Sequence, residues 1–168
     1  MRSALMALPL LAASATVGAH PSFVETSFPA GSTAHLQLQI AHGCGDKLTH
    51  LVRVQLPNGE GVSAAVTQAK PRQTRDWLIS TETGPVEPFS SHGTDYTQDV
   101  RAIRWLGVLP SDHYELFEFR VRLPNLAADE APLELAFPVE QLCPGEGDYD
   151  WDGEDAPRIT VTPPAPPS

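Results

Sequence analysis

Three segments of this chain alternate apolar and polar residues with a period of two, and that pattern restricts it to a sheet protein. Leu36, Leu38 and Ile40 alternate with Gln37 and Gln39. Val52, Val54 and Leu56 alternate with Arg53 and Gln55, and Phe117, Phe119, Val121 and Leu123 with Glu118, Arg120 and Arg122. Successive side chains of an extended chain point to opposite faces, so each run buries one face and wets the other, as a half-buried antiparallel strand does. Weaker strand candidates lie at 22–28, 62–69, 77–83, 100–106, 133–138 and 158–162. Turn chemistry separates them at Pro29-Ala30-Gly31, Pro57-Asn58-Gly59, Leu109-Pro110-Ser111-Asp112 and Pro124-Asn125. The stretch 84–98 reads as irregular, and no window sustains a helical period. About nine short strands with frequent turns predict one all-β domain, an antiparallel β-sandwich of immunoglobulin or cupredoxin type.

Residues 1–19 read as a secretory leader. Arg2 supplies the positive start, 4–17 is apolar but too short to span a bilayer, and Val17-Gly18-Ala19 is a small-residue cleavage site. The expected domain runs over 20–162, and 163–168 is a Pro-rich, extended tail. No apolar run of membrane-spanning length follows the leader, so a periplasmic or secreted protein without a membrane span is expected. The formal net charge is −10, and loss of Arg2 with the leader makes it one unit more negative. Such a chain has no basic face for nucleic-acid phosphates, whereas it is compatible with cation binding.

Cleavage after Ala19 would leave His20 with a free α-amine beside its imidazole. Those two nitrogens can close a chelate ring on one metal ion, and imidazole suits copper, nickel and zinc. Pro21 has no amide N–H, so the second backbone nitrogen cannot join them and positions stay open for other ligands. Both nitrogens must be unprotonated to coordinate, so affinity is expected to fall as pH drops below neutral. Both methionines, Met1 and Met6, lie in the leader. The two cysteines, Cys44 and Cys143, are expected to form a disulfide in an oxidising compartment. A crosslink closing so long a loop stabilises by about 4–5 kcal/mol in the chain-entropy account. It also leaves no thiolate or thioether, which rules out a blue-copper centre and makes any bound copper Cu(II) on nitrogen and oxygen.

The acidic segment 146–155 has three readings. Asp148, Asp150, Asp152 and Gly153 match the opening of a calcium loop, D-x-D-x-D-G. The twelfth position, however, is Ile159 where a bidentate glutamate belongs, Pro157 lies inside, and no helices flank it. Alternatively one carboxylate is a copper ligand and Trp151 walls the ion, since an indole face attracts cations. In the third reading the segment is a solvated turn, with Trp151 covering the edge of the core. The remaining histidines, His35, His42, His50, His92 and His113, show no ligand spacing. His35 is placed outward on a strand and His42 beside Cys44. No Ser/His/Asp set, phosphate-cradling glycine loop or zinc-protease motif appears, so a non-enzyme is expected.

Taken in order, the pieces of this chain resemble the YcnI-like copper-binding domain, in the form of its proteobacterial branch. Ala19-His20 resembles the processed A-H start, and Ala30-Gly31-Ser32 the turn that follows. His42-Gly43-Cys44 with Val52-Arg53-Val54-Gln55-Leu56-Pro57 resembles H-G-C…V-R-V-Q-I-P. Ile103-Arg104-Trp105, Leu109-Pro110-Ser111-Asp112 leading into 114–120, Gln141-Leu142-Cys143 followed by Trp151, and Ala156-Pro157 complete the series. The resemblance implies a β-sandwich that binds Cu(II) at its processed N-terminus, as a chaperone, buffer or delivery factor exchanging copper with another periplasmic or membrane copper-handling protein. It implies His20 as the chelating residue, a carboxylate as the oxygen ligand and Trp151 as a shield. The family's glutamate falls two residues before the tryptophan, where this chain has Tyr149, so Asp148 and Asp150 are the expected substitutes. The alternative is an interaction module whose acidic loop, 148–155, binds calcium.

Overall fold

The computed structural model describes residues 20–58, 66–145 and 147–166. Residues 1–19, the expected leader, lie outside the described residues, as do 62–65 of the 62–69 strand candidate, Glu146 and the last two residues of the Pro-rich tail. Among the described residues twelve strands run β1 Ser22–Phe23, β2 Ser27–Pro29, β3 Thr33–Ile40, β4 Thr49–Gln55, β5 Thr67–Pro71, β6 Leu78–Ser91, β7 Thr94–Leu109, β8 Glu115–Arg122, β9 Leu133–Ala136, β10 Val139–Leu142, β11 Tyr149–Trp151 and β12 Arg158–Thr162. They form a four-stranded sheet ordered β1-β3-β8-β5, a five-stranded sheet ordered β11-β10-β4-β7-β6, and a small sheet β2-β12-β9. Pairing is antiparallel except for β2 with β12. The expected antiparallel sandwich is therefore present.

The period-two runs set the layers. Leu36, Leu38 and Ile40 on β3 and Phe117, Phe119 and Val121 on β8 face inward with Val52, Val54, Ile103 and Trp105 of the opposing sheet, all essentially buried. Aromatic rings fill the middle. Phe117 takes the edge of Trp77 at 4.9 Å and packs on Trp105 at 5.1 Å, while Phe23 meets Phe137 at 5.0 Å. Cys44 and Cys143 are bonded, with Cα atoms 5.8 Å apart across a sequence separation of 99, and both are buried.

Twelve strands stand among the described residues where about nine were expected, with β10 and β11 unforeseen, and two of the expected segments are built differently. The stretch 84–98 is not irregular: β6 and β7 continue through it as one long hairpin, with β-bulges between Glu82 and Thr83 and between Pro85 and Phe89. Its tip is His92-Gly93, with φ of 50° and 78°, the left-handed pair that a two-residue hairpin turn needs. Bulges and two prolines hide the alternation over this stretch. Second, 22–28 is broken into β1 and β2, which belong to different sheets. The segment 22–29 thus passes from one sheet to another.

Candidate functional site

The first described residue is held in place from both sides. Pro21 is buried, and β1 pairs with β3 through Ser22 opposite Gln39 and Phe23 opposite Leu38. His20 is therefore delivered to the edge of the sandwich, with a side chain 44% exposed. From the other side, β11 pairs with β10 so that Val139 lies opposite Trp151 and Glu140 opposite Asp150. The rings of His20 and Trp151 meet with centroids 4.6 Å apart and planes inclined at 48°. Tyr149, on the same face two residues earlier, stands 5.6 Å from Trp151.

Two of the expected site residues, His20 and Trp151, are thus brought together from opposite ends of the chain. The carboxylate beside the imidazole is Asp155, whose Oδ1 lies 3.5 Å from His20 Nδ1. Asp155 stands in the turn after β11, closed by its own N–H donating to the Asp152 carbonyl at 2.9 Å. Asp148 precedes β11 and Asp150 lies within it, both exposed. Sequence reasoning included Asp155 in the acidic segment without distinguishing it, because nothing local marks which carboxylate the turn folds back toward His20.

Behind the tryptophan lies a buried polar chain that the sequence reading passed over. Gln141 and Thr49 are the two buried polar residues among the described side chains, 2% and 0% exposed. Trp151 Nε1 donates to Gln141 Oε1 at 3.4 Å. Gln141 Nε2 donates to Thr49 Oγ1 at 2.6 Å and to the main-chain oxygen of His42 at 3.3 Å. Thr49 Oγ1 lies 3.3 Å from Cys44 Sγ. The available signal was a glutamine at an inward position of β10, two residues from Cys143, where a buried amide must find partners.

The other histidines lie elsewhere. His35 is exposed on β3, His92 is at the hairpin tip, His50 Nδ1 meets the Gly107 carbonyl at 3.2 Å, and His113 Nδ1 meets Asp112 Oδ1 at 2.7 Å. Among the described residues no three His, Cys, Asp or Glu side chains converge to hold a metal ion. A metal site here would need a third donor besides His20 and Asp155, and a free α-amine at His20 would supply it. The resulting set of two nitrogens and a carboxylate oxygen has the hardness that suits Cu(II).

Comparison with known proteins places the chain by class and then by family. One solved structure, an uncharacterized protein from Nocardia farcinica with an immunoglobulin-like fold, superposes with a TM-score of 0.53 at 15% identity, over 86% of this chain and 96% of that one. The molecule is therefore an immunoglobulin-like β-sandwich with one disulfide. Residues 20–167 match the family model described as Domain of unknown function (DUF1775), and the chain belongs to that family. No curated protein matches it. Among the described residues no helix is long and apolar enough to cross a membrane.

Proposed function

We propose that this protein is an extracytoplasmic Cu(II)-binding protein of YcnI-like type that buffers or delivers copper rather than catalysing a reaction. In this reading the leader is removed after Ala19, and the ion is bound by the α-amine and Nδ1 of His20. The Asp155 carboxylate adds a hard anionic oxygen, and Trp151 shields one side. The observation that carries the reading is the meeting of His20 with both Trp151 and a carboxylate, 4.6 Å between rings and 3.5 Å from Nδ1 to Oδ1. The negative charge of the chain favours cation capture, and the disulfide removes competing soft ligands. Asp148 and Asp150, the oxygen donors expected from the sequence, are separated from Asp155 by testing all three.

The test is a Cu(II) titration of protein beginning at His20, followed by tryptophan fluorescence and electron paramagnetic resonance. One equivalent should quench fluorescence and give a tetragonal nitrogen/oxygen spectrum, both lost in His20→Ala and in protein that retains Ala19. Asp155→Asn should weaken binding at least ten-fold, more than Asp148→Asn or Asp150→Asn. Equal binding by the Ala19-retaining protein would refute the N-terminal chelate. A thermal shift with millimolar calcium, lost in Asp148→Asn but kept in His20→Ala, would favour the calcium loop instead.

A further inference from the structure

The outward face of the four-stranded sheet carries an arrangement of charge that the fold does not need. Across β3, β8 and β5 the register sets His35 opposite Arg120 and Arg120 opposite Lys70, with Arg122 on the next outward rung opposite Thr33 and Thr67. Like charges directly opposite on adjacent strands are destabilising. The other sheet meets the same problem and solves it. There Arg53 lies opposite Arg104, and Glu82 neutralises both, bonding Arg53 at 2.7 Å and approaching Arg104 at 3.8 Å, while Glu140 bonds Arg53 from the far side.

On the four-stranded sheet the nearby carboxylates are already engaged. Glu118 is bonded by Arg72 and accepts from Gln37 Nε2 at 2.7 Å. Asp99 accepts from the main-chain N–H groups of Gln68 and Val100, and Arg101 stands 3.9 Å away. Among the described residues no carboxylate pairs with Lys70, Arg120 or Arg122. Three uncompensated cations therefore stand together on a protein whose net charge is −10.

The surface at this point is concave. Lys70 and Arg120 line both of two cavities of about 570 and 500 Å³, the first also lined by Arg72 with its partner Glu118 and the second by Arg122 and the engaged Asp99, each within the size range of small-molecule sites. The second is walled by the long hairpin, whose Phe89 and Tyr96 stack at 5.2 Å and whose Ser91 hydroxyl donates to Gln68 Oε1 on β5 at 3.3 Å.

We infer that this groove binds a polyvalent oxyanion, phosphate- or polycarboxylate-bearing, between Lys70 and Arg120, with Arg122 and His35 at its margins. Guanidinium pairs with either group through two parallel hydrogen bonds, and lysine adds a point charge. A bound oxyanion would relieve the cross-strand repulsion, so binding and stability are linked. The site is separate from His20 and does not depend on copper.

The test uses metal-free protein and two probes, inorganic phosphate and citrate, titrated at constant ionic strength. Thermal melting and nuclear magnetic resonance shifts are the readouts. At least one probe should raise the melting temperature saturably and shift amides of β5 and β8. Lys70→Gln and Arg120→Gln should each weaken that response at least ten-fold, whereas Arg104→Gln, the same charge change on the other sheet, should leave it intact. Without a probe, Arg120→Gln should melt at or above the temperature of the parent. Tighter binding of phosphate identifies a phosphate-bearing ligand, and tighter binding of citrate a polycarboxylate. No saturable response to either probe, or a response lost equally in Arg104→Gln, overturns the assignment.

Discussion

Trp151 donates its indole N–H to the side-chain oxygen of Gln141 at 3.4 Å, and this orients a buried amide. An indole nitrogen only donates, so Gln141 Oε1 must face it and Nε2 must face Thr49 and His42. A disulfide sulfur has no hydrogen, so the Thr49 hydroxyl is the donor toward Cys44. The ring beside His20 is thereby tied through two buried side chains to the crosslink.

Gln141→Leu should remove the acceptor for Trp151 and the donor to Thr49 while keeping approximate volume. Leaving buried polar groups unpaired costs about 1–3 kcal/mol. Urea unfolding should register that loss, and the fluorescence of native Trp151 should change. An unchanged midpoint and spectrum would show that the amide does not hold the ring.

Phe117 is fully buried between Trp77 and Trp105. Phe117→Ala should cost about 3–5 kcal/mol through lost burial and the cavity left behind. Denaturant unfolding measures it, and a loss below about 1 kcal/mol would mean that the two sheets close over the gap.

Gly107 lies on β7 directly under Trp77. A Cβ there would come within 2.5 Å of Trp77 Cε3 and 2.7 Å of Cδ2. The indole is held in place by the edge contact with Phe117 and by Nε1 donating to Glu115 at 3.1 Å. Gly107→Ala should destabilise by about 1–3 kcal/mol, as overpacking does. It should also shift the near-ultraviolet circular dichroism of the aromatic cluster, and a native spectrum with native stability would contradict the close approach.

Acid should weaken the outer faces of both sheets. The Arg53 guanidinium, bonded to Glu82, holds that carboxyl below its ordinary value, and Arg72 does the same for Glu118 with help from Gln37. A carboxyl depressed in the folded state adds stability above its unfolded value, near pH 4.3. That stability is lost as pH falls through the lower folded value. Glu82 is 41% exposed on its side chain, so solvent screens the pair and the contribution is small and salt-sensitive. Melting temperature against pH should therefore fall less steeply below about pH 4 in Glu82→Gln than in the parent. Parallel curves would show that the pair adds nothing.

The strands that were readable were those whose alternation is clean. Leu36 to Ile40, Val52 to Leu56 and Phe117 to Leu123 all lie with their apolar members inward. The base of the long hairpin was readable as the candidates 77–83 and 100–106, but its outer part was not, because Pro85, Pro88 and the bulges interrupt its period and much of its surface is exposed on both faces. Strands β10 and β11 are too short for periodicity to register. At the candidate site, His20 and Trp151 were singled out through the expected leader cleavage and the resemblance. Asp155 and Gln141 were not, since each gains meaning only from a partner far away in sequence.

By itself, then, the sequence determined the class of fold, which faces of three strands turn inward, and the pairing of two cysteines in a chain that has no others. These follow from local period and from composition, which need no knowledge of the partner strand. Tertiary structure alone decided that Asp155 rather than a neighbouring acid stands beside His20, that Gln141 carries the Trp151 hydrogen bond, and that Arg53 is neutralised while Arg120 is not. Each of these depends on cross-strand register and on how a turn closes, and register is set by the packing of whole sheets rather than by neighbouring residues.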